Sequence, residues 1–149
     1  MASYSQSLDL TAETATMTLT VGADITTYTY DNTTKLITFG ARTSPMNLVS
    51  LAELLLYVDA FRLWMGALFK AFRPLDTTLL PFIRTMVTTP TTIELDDALD
   101  GNVTIDATFT RATNITVLGS RAAATMYWSD LKKWLTFVEA FSLTCSEST

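Results

Sequence analysis

No histidine occurs among the 149 residues, and the single cysteine is Cys145. The first absence excludes Ser-His-Asp and Cys-His arrangements and removes the commonest metal ligand. The second excludes an internal disulfide, and with no imidazole to activate it Cys145 reads as an unreactive tail thiol. Charge is scarce as well: charged residues make up 17% of the chain, below the ~25% usual for soluble domains. Ten basic residues are scattered among fifteen acids, with a formal charge of −5, so a phosphate backbone has no basic stripe to meet. There is no Walker A run, no GxGxxG and no cysteine pair for zinc. Asp96, Asp97 and Asp100 cluster, but Ala98 and Leu99 fill places where a calcium loop needs oxygen donors, so the cluster reads as a solvated hairpin turn. These absences predict a non-enzyme with no cofactor and no metal site. The first residues, Met1-Ala2-Ser3-Tyr4-Ser5-Gln6-Ser7, lack the basic region and apolar run of a signal peptide, which predicts a cytoplasm-like compartment or a virion.

What the chain does have is apolar bulk: 48% hydrophobic residues and a mean hydropathy of +0.27. Its length fits a single domain able to bury a core without disulfides or metals. So much apolar surface with so little charge favours a subunit that buries surface against partners.

The residues also repeat. Leu36-Ile37-Thr38-Phe39-Gly40-Ala41-Arg42 matches Ile115-Thr116-Val117-Leu118-Gly119-Ser120-Arg121, with Gly40 over Gly119 and Arg42 over Arg121. Further on, Tyr57-Val58-Asp59-Ala60-Phe61 lies over Phe137-Val138-Glu139-Ala140-Phe141, at an offset of roughly 80 residues. The first copy is expected over about 16–72, a connector over 73–90 and the second copy over about 91–143.

Local patterns fit the same division. Met17, Leu19 and Val21 alternate with threonines, as do Val103, Ile105, Ala107 and Phe109 with polar residues, and both read as half-buried strands. Turn clusters at Asp31-Asn32-Thr33-Thr34 and from Thr110 to Asn114 precede short return strands at 36–39 and 115–118. Each strand set ends at a glycine and leads into a helix, over about 46–72 and 123–143, the first opened by Ser44-Pro45. In the connector, Leu79, Leu80, Phe82 and Ile83 around Pro81 suit a short helix. The expected fold is therefore α+β: two pseudosymmetric repeats, each of antiparallel strands followed by one long helix, with the helices packed on the sheet.

The two helices differ. Leu131, Trp134, Leu135, Val138 and Phe141 fall on one face of the second, an amphipathic pattern. In the first, Asp59, Arg62, Gly66, Lys70 and Arg73 make one narrow polar stripe and apolar residues cover nearly everything else. Such a helix can be the central helix of the domain, can offer a spare face to another subunit, or can enter a membrane. Glu53, Asp59, Arg62 and Lys70 count against the membrane. Phe61, Trp64, Met65, Leu68, Phe69 and Phe72 are the candidate interface, and Arg42 and Arg121 are candidate repeated polar positions.

These features point to a non-enzymatic structural or assembly subunit that buries an apolar helix face against other protein subunits, as a homo-oligomer or larger assembly. A small, threonine-rich, histidine-free chain suits a viral or phage particle component. The alternative is a single-stranded nucleic-acid-binding module, since two strand-plus-helix repeats are similar in outline to the PUR and Whirly types of domain. Tyr28, Tyr30, Phe39 and Phe109 would then be its stacking platforms, although the acidic balance opposes it. An enzyme using the carboxylates Asp59 or Glu139 is a third class, without support from any motif.

Overall fold

The computed structural model describes residues 2–76, 82–99, 103–120 and 123–148. Four antiparallel strands come first: β1 (Ala2–Asp9), β2 (Thr14–Val21), β3 (Asp24–Asp31) and β4 (Leu36–Phe39). A three-residue strand β5 (Met46–Leu48) leads into helix α1 (Leu51–Phe72). Then follow β6 (Phe82–Thr88), β7 (Thr92–Leu99), β8 (Val103–Thr110), β9 (Ile115–Leu118), β10 (Ala124–Tyr127) and helix α2 (Trp128–Glu147).

Side-chain alternation explains the strands. On β2, Ala15, Met17, Leu19 and Val21 are buried while the intervening threonines turn outward, the two-residue period of a half-buried strand. The turns are held locally: Asp9 Oδ1 accepts the backbone N–H groups of Thr11 and Ala12, both at 3.0 Å, and Asp31 Oδ1 accepts that of Thr33 at 2.8 Å. Lys35 and Asn114, each just before a return strand, adopt positive φ of 64° and 57°. Gly40 is required where it stands, because a Cβ there would lie 2.7 Å from the Thr27 carbonyl oxygen that its own N–H contacts at 2.8 Å.

The strands form two five-stranded antiparallel sheets, in the orders β1-β2-β3-β4-β10 and β5-β9-β8-β7-β6. Each sheet takes four consecutive strands from one half of the chain and a short edge strand from the other half. β5 pairs with β9, Met46 opposite Leu118, and β10 pairs with β4, Ala124 opposite Phe39.

Helix α1 begins where Ser50 caps it: the Ser50 hydroxyl accepts the Glu53 N–H at 3.2 Å, and Glu53 reaches back to the Val49 N–H at 2.9 Å. At the start of α2 the Tyr127 N–H donates to Asp130 Oδ2 at 2.9 Å, which sets a carboxylate in the first turn. The two helices run in opposite directions along each other, with Phe69 against Trp128 and Arg62 against Glu139. α1 touches β1, β2, β5 and β9, and α2 touches β4, β7 and β10, so each helix packs on both sheets.

The buried residues form one contiguous core. Phe61 stands at its centre, with ring centroids 4.7 Å from Tyr28, 4.7 Å from Trp134, 5.2 Å from Tyr57 and 5.6 Å from Phe39. Edge-to-face geometry predominates, as expected for rings with a negative face and a positive edge.

Several sequence expectations need correction. The first helix begins at Leu51, not near residue 46, because Met46 and Leu48 alternate into the core as strand β5 and Ser50 is the better cap. The second begins at Trp128, with Ala124–Tyr127 in a strand. The connector contains β6, so Phe82 and Ile83 are strand, not helix, and residues 77–81 lie outside the described residues. Residues 100–102 likewise lie outside them, while Asp96 and Asp97 belong to β7. The N-terminal segment, for which the sequence pattern predicts no strand, forms the eight-residue strand β1.

Candidate interaction surfaces

The polar stripe of α1 is on the outside: Asp59, Arg62, Gly66, Lys70 and Arg73 are all exposed. Its centre is an ion-pair network. Arg62 Nη1 donates to Asp59 one turn before it and Nη2 donates to Glu139 Oε2 on α2 at 2.9 Å. The Glu139 hydrogen bond is the main reason that the Arg62 guanidinium is raised above its ordinary value. Asp59 and Glu139 thus share one cation at the surface, an arrangement that links the two helices.

Beside that network the helix pair leaves a groove of about 350 Å³ lined by Leu55, Arg62, Glu139, Ala140, Ser142, Leu143 and Ser146. Leu55, Leu63 and Phe69 of α1 and Leu143 of α2 are large apolar side chains still open to water. Scattered single hydrophobes need no explanation, but here Leu55 and Leu143 share one groove.

The candidate interface residues separate. Phe61, Trp64 and Leu68 are 0% exposed, because the helix is packed by both sheets and by α2, so these three are core residues and not an interface. Met65 and Phe72 are half-buried against the core, Phe72 lying 5.6 Å from Tyr30. Phe69 is 48% exposed, with the Arg73 guanidinium 5.2 Å from its ring centre.

Arg42 is 4% exposed, and its Nε and Nη2 donate to the Gly119 carbonyl at 2.9 and 2.7 Å, linking the chain after β4 to the end of β9. Its Nη1 is buried with no hydrogen-bond partner among the described residues. Arg121 lies outside the described residues.

Tyr28, Tyr30, Phe39 and Phe109 all point into the core, at most 1% exposed, so none can act as a platform for nucleic-acid bases. The register explains this: Tyr28 pairs with Met17 and Phe39, on the inner face of the first sheet. A second cavity, of about 370 Å³, is lined by Tyr30, Lys35, Arg73, Pro74, Leu75 and Trp128. Along one wall the Tyr30 hydroxyl and Lys35 Nζ both donate to Asn32 Oδ1, at 2.9 and 3.1 Å.

Cys145 is buried, and burial pushes its thiol up to about 12, opposite to what a nucleophile needs. Among the described residues no three His, Cys, Asp or Glu side chains gather as a metal site, and no helix is long and apolar enough to cross a membrane. Comparison with protein families, with curated proteins and with solved structures gives no match.

Proposed function

We propose that this chain is a non-enzymatic structural subunit that assembles with further copies of itself, as in the particle of a virus or phage. The observation that carries the proposal is a pair of exposed leucines, Leu55 of α1 and Leu143 of α2, that share one groove beside the Arg62–Glu139 ion pair, with Leu63 and Phe69 also exposed along α1. This face replaces the six-residue interface read from the sequence, of which only Phe69 is exposed. The low overall charge and the threonine-rich strands further support it.

The same reading includes a duplication: two copies of one strand–helix unit, each lending its short strand to the other's sheet. Supporting it are the two strand orders, four consecutive strands plus one donated strand in each sheet. Paired backbone details also recur about 80 residues on. Lys35 N–H to Asp31 O at 2.7 Å has its counterpart in Asn114 N–H to Thr110 O at 2.9 Å. Asn32 N–H to Glu13 O at 2.9 Å has its counterpart in Arg111 N–H to Thr91 O at 3.0 Å. Asp59 and Glu139, matched in the repeat, meet at the single cation Arg62 where the helices cross.

The test is a double substitution, Leu55→Asp with Leu143→Asp, compared with the parent by sedimentation velocity. Both positions are exposed, so the fold should survive by circular dichroism while the assembled species is lost. An unchanged sedimentation profile would remove the helix face from the assembly.

A further inference from the structure

We infer that β1 is a second assembly contact, through which two copies join antiparallel about a two-fold axis to make one continuous ten-stranded sheet. The inference rests on the reading of the chain as a self-assembling subunit and names the edge through which copies meet.

β1 is the outermost strand of its sheet and pairs, among the described residues, only with β2. One side of its backbone ladder is therefore open along eight residues. Natural edge strands are blunted by lysine, proline, inward charge or brevity. Ala2 to Leu8 contains no lysine, arginine, aspartate, glutamate or proline. Two of the other edges are blunted by brevity: β5 has three residues, and β10 has four and runs straight into α2.

Charge argues that the occupant is another copy. Copies of a chain with a formal charge of −5 repel one another, so they approach best where they bring no charge. The one charged residue of β1, Asp9, ends the strand and is engaged by the Thr11 and Ala12 N–H groups of its own turn. Pairing centred on Ser5 sets Ser3 opposite Ser7 and Tyr4 opposite Gln6, and engages every residue from Ala2 to Leu8. It holds the two Asp9 side chains ~27 Å apart along the strands, well beyond the screening length of ~8–10 Å.

Alternation is kept as well. Tyr4 packs on the core of its own copy, and Ser3, Ser5 and Ser7 stay on the outer face. That face already carries a row of hydroxyls across five strands, Ser7, Thr16, Thr29, Thr38 and Thr125, which the pairing would extend into the second copy. Leu8, exposed near the end of β1, would pair opposite Ala2 of the neighbour. A strand of eight residues is fewer than the ~20–30 per side of a stable interface, so this contact is weak alone and works together with the helix face. A two-fold contact plus a second, different contact generates an extended assembly.

Disulfide trapping tests it, with Cys145 silent because it is buried. Ser5→Cys places two thiols on strands whose Cα atoms are ~4.5–5.5 Å apart, within the ~4.4–6.8 Å range of a disulfide. Mild oxidation should give a covalent dimer. Thr27→Cys, two strands in from the edge, leaves the thiols roughly 24 Å apart and should give none. Ser5→Lys with Ser7→Lys should lower the assembled mass without altering the circular dichroism spectrum. If wild type assembles but Ser5→Cys gives no dimer, the edge contact is refuted while the assembly reading stands. A wild type that is monomeric at every concentration overturns both.

Discussion

Replacing Phe61 by alanine removes the ring at the centre of the aromatic cluster. The side chain is 0% exposed and has four aromatic neighbours within 5.6 Å, drawn from β3, β4, α1 and α2. Truncating a buried phenylalanine costs about 3–5 kcal/mol, including the cavity left behind. The aromatic pairs add to the packing loss, ~0.5–1.5 kcal/mol each in favourable geometry, which places this site at the upper end of the range. Against a typical stability of ~5–15 kcal/mol that is a third or more of the whole. With a urea dependence of about 2–2.5 kcal/mol per molar, the unfolding midpoint should fall by about 2 M. The assay is urea unfolding followed by tryptophan emission, since Trp134 stands 4.7 Å from Phe61. Phe69→Ala, two turns further along the same helix and half exposed, is the comparison and should cost less than about 1.5 kcal/mol. If Phe61→Ala cost no more than Phe69→Ala, or abolished assembly while leaving stability intact, the placement of Phe61 in the core would be wrong.

Glycine substitutions should act in opposite directions. Gly40→Ala drives a Cβ against the Thr27 carbonyl and should cost about 1–3 kcal/mol, whereas Gly66→Ala, exposed in mid-helix with nothing within 4 Å, should add about 0.5–1 kcal/mol; thermal unfolding of the two variants checks both signs. Arg42→Ala leaves the Gly119 carbonyl without its two donors and should cost about 2–3 kcal/mol in the same assay. Stability should fall in alkali. Burial raises Cys145 to about 12 from 9.0, and Tyr30 is raised from 10.0, first by burial and then by Asp31 and Glu13. Both groups are neutral when protonated, so their contribution is complete below the unfolded values and is lost as pH rises through the folded ones. Urea midpoints at pH 8, 10 and 11 should decline in that order, and Cys145 should resist a thiol reagent at pH 8 until the protein is unfolded.

The sequence showed what local periodicity can carry. Threonines alternating with Met17, Leu19 and Val21 marked β2, the turn residues before Leu36 and Ile115 marked two hairpins, and the apolar face of α2 was legible from Leu131 to Phe141. Elements defined by distant partners were not legible. β5 and β10 are three and four residues long, and each is a strand only because its partner lies in the other half of the chain. Both were absorbed into the following helices, although Ser50 and Glu53, spaced as a capping box, carried the true start of α1. β1 was missed because serine and glutamine alternate there with few apolar residues, so its two-residue period has little contrast. The interface was misassigned for a related reason. A helix apolar nearly all round could face partners or its own chain, and here both sheets and α2 pack around it, so that Phe61, Trp64 and Leu68 are buried internally.

Self-assembly is tested most directly by the absolute mass of the purified protein in solution, by light scattering across a range of concentration and salt. The expected result is a mass well above 16.4 kDa that rises with concentration and persists in high salt, because the contacts are apolar side chains and backbone hydrogen bonds. A mass that stays at that of one chain under every condition would contradict the assembly reading and leave the helix face and the β1 edge as ordinary solvent-exposed surface.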